Sequence, residues 1–232
     1  MSGISRIQKG REDFRNPQET REVGKEIWLK DGEQMFLTSV ATGDENDKFL
    51  DEIYLYTFRV GSRFTNVLKD ERVDTSGVPE TDASGNPVRP SHKFAFWAYV
   101  HNIIHIEKRN DDWEEIEGPA GKKMFKETVD DFRIIPLTFG RGDYIWNQLV
   151  DIYSDWGSLS KGVMRIKRTG SGMLDTSYTL AATPKDDEIP EEKKTEVSDL
   201  PQIKEYYFER YGSFNAPESD TPSSSDDDDE LF

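Results

Sequence analysis

Lys161, Arg165, Lys167 and Arg168 fall within eight consecutive residues of a 232-residue chain whose formal net charge is −16. Val163–Thr169 reads as a strand, and strand side chains alternate between faces. Met164 and Ile166 then point one way and Arg165, Lys167 and Thr169 the other, with Lys161 and Arg168 close by. Cations spaced along a strand can follow a phosphate backbone. The turn TGSGMLD after it carries glycines that let a ligand approach the main chain. The plainer alternative is a solvated face on an ordinary hairpin. Arg59 and Arg63, at the end of an earlier strand, and Arg141, before a helix, extend the cationic set.

Aromatic rings are the second ingredient, because every base offers a π-face to stack on. In Lys93–Arg109, Phe94, Phe96, Ala98, Val100, Ile104 and Ile106 share one face, which reads as core. Trp97, Tyr99, His101, Ile103 and His105 share the other, which reads as an outward stacking platform. The alternative for that face is a second buried layer beneath a neighbouring segment. Tyr56 joins the candidates from Phe49–Val60, a strand apolar on both faces, so that periodicity does not say which side is core.

Catalysis fits the residues poorly. Three histidines, no cysteine and no nucleophile–base pair at motif spacing argue against a triad. His101 and His105, four residues apart on a strand, stand roughly 13 Å apart, too far for one metal ion. GPAGKK (residues 118–123) lacks the length and hydroxyl of a phosphate-cradling loop. No enzyme, metal or cofactor is expected. Without cysteine there is no disulfide framework, which suits a reducing compartment. The start lacks the apolar core of a signal peptide and no apolar run reaches membrane-spanning length, so a soluble protein is expected.

The elements that must carry these residues are mostly extended. Glu26–Thr38 holds an Asp-Gly turn between two apolar runs and reads as a hairpin. Residues 70–90 are rich in Gly, Pro, Ser and Asp and read as a long loop. Met124–Thr138 returns as strand, with Pro136 limiting its pairing. Gly142–Trp156 reads as a helix that Asp143 can cap, with a core stripe of Ile145, Leu149, Ile152 and Trp156 and a stop at Gly157. Ser177–Ala181 closes the strand set, and residues 186–211 suggest one or two helices around Pro190 and Pro201, packed on the outside.

The run WGSLSKGVMRIKRTGSGMLDTSYTL resembles the signature segment of the single-stranded-DNA-binding proteins of many tailed bacteriophages. FRIIPLTFGRGDYIWNQLVDIY, ISRIQKGRE and the acidic SDDDDELF extend that resemblance, in order, over most of the chain. It implies a mainly β OB-fold: a five-stranded Greek-key barrel with inserted loops and a helix before the last two strands. It also implies a protein that coats single-stranded DNA during replication or recombination in the cytoplasm of an infected bacterial host. The resulting division is a basic arm (1–23), an OB-fold DNA-binding domain (24–184), a helical extension (185–212) and a disordered acidic tail (213–232).

The charge balance shapes this reading. From Ser213 onward the chain holds seven carboxylates and no base; removing those seven takes −16 to −9, which is still acidic. Binding must therefore rest on local strips rather than a global field. The tail ends in Asp226, Asp227, Asp228, Asp229, Glu230, Leu231 and Phe232. Its clustered carboxylates imitate a phosphate backbone and are expected to compete with DNA for the basic strip. Its likeness to the acidic, Phe-terminated tips of single-strand binders implies recruitment of replication or recombination proteins, and the plainer alternative is a solubilising tail. The alternative is an acidic adaptor or DNA mimic that does not itself bind DNA.

Overall fold

The computed structural model describes residues 25–61, 63–139, 143–170, 175–183 and 189–213. The expected arm, Arg141 and all of the tail beyond its first residue lie outside these. Among the described residues the chain is mainly β. Eight strands form one antiparallel sheet: β1 (Gln34–Ser39), β2 (Leu50–Val60), β3 (Arg63–Leu68), β4 (Ser91–His105), β5 (Glu114–Glu117), β6 (Lys123–Thr138), β7 (Val163–Thr169) and β8 (Ser177–Thr183). The helices are α1 (Asp143–Trp156), the single turn α2 (Glu191–Lys194) and α3 (Ile203–Tyr211). None is long and apolar enough to cross a membrane.

β4 is the axis of the sheet. One of its edges pairs with β6 from Lys93 to His105. The other is shared: its first half pairs with β2 (Ser91 opposite Leu55) and its second half with β1 (Ile104 opposite Gln34). The order runs β3-β2-β4-β1-β7-β8, with β6 and β5 on the far side of β4. No pairing among the described strands closes this sheet into a barrel. Pro136 does not stop β6, which continues opposite Ala95 and on to Thr138. The reason lies in the backbone. Ile134, two residues earlier, turns its N–H and C=O away from β4 to Lys25 and Ile27, so the missing Pro136 N–H also falls on that side.

Both faces of β4 are buried. Phe94, Phe96, Ala98, Val100 and Ile103 meet α1 through Ile145, Leu149 and Ile152, with Met35, Leu37, Met164 and Ile166 beside them. The expected helical stripe is therefore core, and truncating a buried residue such as Leu149 to Ala should cost about 2–5 kcal/mol. Gly157 ends the helix at φ +70°, its N–H bonded to the Tyr153 carbonyl at 2.7 Å.

On the opposite face, Ala95, Trp97, Tyr99, Phe132 and Ile134 form a second core with Ile53 and Leu55 of β2, capped by Ile203 and Tyr207 of α3. The platform expected at Trp97 and Tyr99 is thus corrected: they are 1% and 2% exposed. The Trp97 indole N–H donates to the Pro201 carbonyl at 2.9 Å, and its ring meets Tyr206 edge-on. A bulge between Val100 and Asn102 shifts the alternation. Ile103 consequently joins Val100 in the first core rather than sharing a face with Tyr99.

The Asp31-Gly32 turn forms, with Gly32 at φ +76° and the Glu33 N–H on the Lys30 carbonyl. The hairpin expected around it does not. Ile27 bonds instead to Ile134 of β6, because β7 occupies the free edge of β1.

Candidate functional site

β7 lies between β1 and β8, and its register decides which side chains share a face. Met164 and Ile166 stand opposite Leu37 and Met35 on β1, and all four are buried in the first core. Arg165 stands opposite Phe36 and Ala181, and Lys167 opposite Gln34 and Thr179, on the other face. Across β1 the row continues from Phe36 to Asn102 of β4 and then to Thr128 of β6. Arg165 and Lys167 are exposed, Phe36 is half-buried between the two strands, and Thr169, Ser177 and Thr179 supply hydroxyls around them. None of the described residues on this face of β1, β7 and β8 is a carboxylate. The nearest further cation along the rows, Lys126 beside Ile104, stands 3.8 Å from Glu114.

The sheet brings together only part of the expected cationic set. Arg168 has the parity of Ile166 and turns to the opposite face, where its guanidinium donates to the Leu29 carbonyl at 2.7 Å and Thr176 Oγ1 at 3.3 Å. It ties β7 to the segment before β1 rather than presenting charge to a ligand. Lys161 Nζ donates to the Trp156 carbonyl at 2.7 Å, where a cation suits the negative end of α1. Arg59 and Arg63 are exposed at the tip of the β2–β3 hairpin, three and four positions from β7 in the sheet order. Tyr56, opposite Val67, packs half-buried against the second core.

Phe36 is the ring that sequence reasoning missed. The available signal was alternation in QMFLTS, which sends Met35 and Leu37 to one face and leaves one aromatic on the other. Its value depends on a neighbour 129 positions away, so the pairing with Arg165 was invisible until the sheet was assembled.

The strand carrying Phe36 is pinned from below by a buried charge cluster. Glu33, immediately before β1, is 0% exposed. Its Oε1 meets His105 Nδ1 at 2.9 Å and Arg109 at 3.0 Å, and its Oε2 accepts from the Lys30 N–H at 2.7 Å. His105 Nε2 reaches Glu127 Oε2 on β6 at 2.8 Å, and the imidazole stacks on Trp113 at 3.8 Å. Burial alone would lower the His105 pKa, but the hydrogen bonds to Glu127 and Glu33 and their charges outweigh it and raise it. For Glu33 burial would raise the pKa, yet the His105 and Lys30 hydrogen bonds, with the His105 and Arg109 charges, hold it below the ordinary carboxylate value. The Glu33 carbonyl accepts from the Arg168 N–H at 3.0 Å, and the Gly32 N–H donates to the Arg168 carbonyl. These two backbone bonds continue the β1–β7 register that sets Lys167 beside Gln34, next to the residue the cluster holds.

No protein-family model matches this chain, and no curated protein matches it.

Proposed function

We propose that this protein binds and coats single-stranded DNA through the open face of β1, β7 and β8, without catalysing a reaction. One observation carries the reading: a carboxylate-free strand face with Arg165 and Lys167 around Phe36, on a chain of net charge −16. The cations contact phosphates and the ring stacks a base, a division of labour that binds strands with little regard to sequence. The sequence resemblance to the single-strand binders of tailed phages supports the same activity in DNA replication or recombination, in the cytoplasm of an infected host. An OB-type architecture is supported by the helix placed before the final β7–β8 hairpin. In this reading the acidic segment 213–232 competes with DNA for the basic face and recruits replication or recombination proteins.

The test is fluorescence anisotropy of a labelled dT oligomer across a salt series, with wild type and Arg165→Gln/Lys167→Gln. The double variant should bind more weakly and lower the salt slope by about 0.7 for each lost phosphate contact. An unchanged slope would reduce the strip to a solvated face. The net charge favours the second reading, an acidic adaptor, which predicts no binding to dT even at low salt.

A further inference from the structure

The β2–β3 hairpin ends in a feature that the strand face does not use. Phe64 is 71% exposed, the most exposed large apolar side chain among the described residues. It stands directly opposite Arg59, whose guanidinium carbon lies 5.1 Å from the ring centroid. Arg63 is exposed at the same tip, opposite Val60. The next pair down on the Phe64 side is Thr57 and Asn66, joined by a 2.7 Å hydrogen bond from the hydroxyl to the amide oxygen, which leaves the amide N–H groups as donors. From Ile53 to Leu68 the chain has two arginines and no acid, although acids outnumber bases 46 to 30 overall. The hairpin stem is held: Leu55, Phe58, Val67 and Leu68 are all buried in the second core. An aromatic ring is thus presented to solvent on a locally cationic finger whose stem is packed into the second core.

We propose that this tip is a second nucleic-acid contact, in which an unpaired base stacks on Phe64 while Arg59 and Arg63 hold the adjoining phosphates. The proposal rests on the reading of the chain as a single-strand binder and extends it to a separate site. Charge complementarity selects the occupant, since a guanidinium-flanked ring suits the π-face and phosphate of a nucleotide. The separation follows from register. Phe36 stands opposite Asn102 of β4, while Leu55 stands opposite Ser91 and the tip runs four residues beyond Leu55. At about 3.4 Å per residue the two contacts lie up to ~50 Å apart along the strand direction, less whatever the sheet twist removes. A short oligomer covers one of them; a long strand spans both.

The experiment titrates wild type, Phe64→Ala and Phe64→Trp with dT oligomers of about six nucleotides, within a single typical site, and about forty, well beyond one. Phe64→Ala should weaken binding of the long oligomer about tenfold or more and leave the short one unchanged. Phe64→Trp should restore long-oligomer affinity and add fluorescence that the long oligomer quenches and the short one does not. Equal affinities for wild type and Phe64→Ala at both lengths would overturn the finger while leaving the strand face standing. So would an equal loss at both lengths, or a change in oligomeric state with DNA affinity unaltered, which would assign the tip to a protein contact. Failure of wild type to bind either oligomer would remove the single-strand reading and the finger together.

Discussion

The imidazole of His105 meets Glu33 at 2.9 Å from one nitrogen and Glu127 at 2.8 Å from the other, with Trp113 stacked flat against the ring. Donating to both carboxylates requires both nitrogens to carry protons, so the geometry calls for the imidazolium. The neutral ring would donate to one carboxylate and turn a lone pair toward the other. Arg109 is the only other cation within bonding distance of Glu33 among the described residues.

That arrangement predicts a pH window. The His105 pKa is raised, so its contribution is complete below the unfolded value of about 6.5 and is lost as pH rises through the folded value. The Glu33 pKa is lowered from 4.5, so its contribution is complete above that value and is lost as pH falls through the folded one. The cluster should stabilise most between about 4.5 and 6.5. His105→Ala should cost on the order of 3 kcal/mol in that window, because Glu127 and part of Glu33 lose their partner. The difference from wild type should narrow on the alkaline side, as followed by urea denaturation across pH. A pH-independent difference would mean that the ring is held only by packing.

Trp97→Ala should destabilise the fold by about 3–5 kcal/mol, because it empties the second core and removes the bond to the Pro201 carbonyl. Among molecules that remain folded, dT affinity should stay at the wild-type level. A large affinity loss in a fully folded variant would return Trp97 to the binding surface.

Phe36→Ala should weaken dT binding by roughly 1–3 kcal/mol with the salt slope unchanged, since a ring contributes stacking and no counterion release. Arg165→Gln should do the opposite, lowering the slope. Salt-dependent anisotropy separates the two, and a slope change for Phe36→Ala would show that the substitution disturbs the neighbouring cation instead.

Removing residues 213–232 takes away seven carboxylates. If they compete for Arg165 and Lys167, the truncated protein should bind dT more tightly, most visibly at low ionic strength where screening is weak. Equal affinities across the salt series would rule the competition out.

Legibility in the sequence tracks the range of the interactions. The α1 stripe and its Gly157 stop depend on residues a turn or two apart, and both are evident from the chain alone. So is the alternation of Arg165 and Lys167 against Met164 and Ile166. Trp97 is misplaced by local pattern because its cover, α3, lies about a hundred residues downstream, and nothing nearby announces a second layer. Ile103 is misplaced because one extra residue at the bulge inverts the parity of the strand beyond it. The Asp31-Gly32 turn is real, yet its hairpin fails because a turn fixes chain reversal and not the partner. β3 escapes notice although RFTNVL has strand character, since the loop after it dominates the local composition.

The α3 cap also sets an order on synthesis. The Lys25 N–H donates to the Tyr206 hydroxyl and the Tyr211 hydroxyl to Glu26, so contacts spanning 181 and 185 positions finish the structure. A nascent chain leaving the ribosome can assemble the α1 side of the sheet once β8 has emerged. Trp97, Tyr99, Phe132 and Ile134 lack the α3 part of their cover until residues 203–211 emerge in turn. During that interval the half-built sheet offers an aromatic surface to chaperones or to its own neighbours on the same message. Slowing translation between β8 and α3 lengthens the exposure, and a stop codon there makes it permanent.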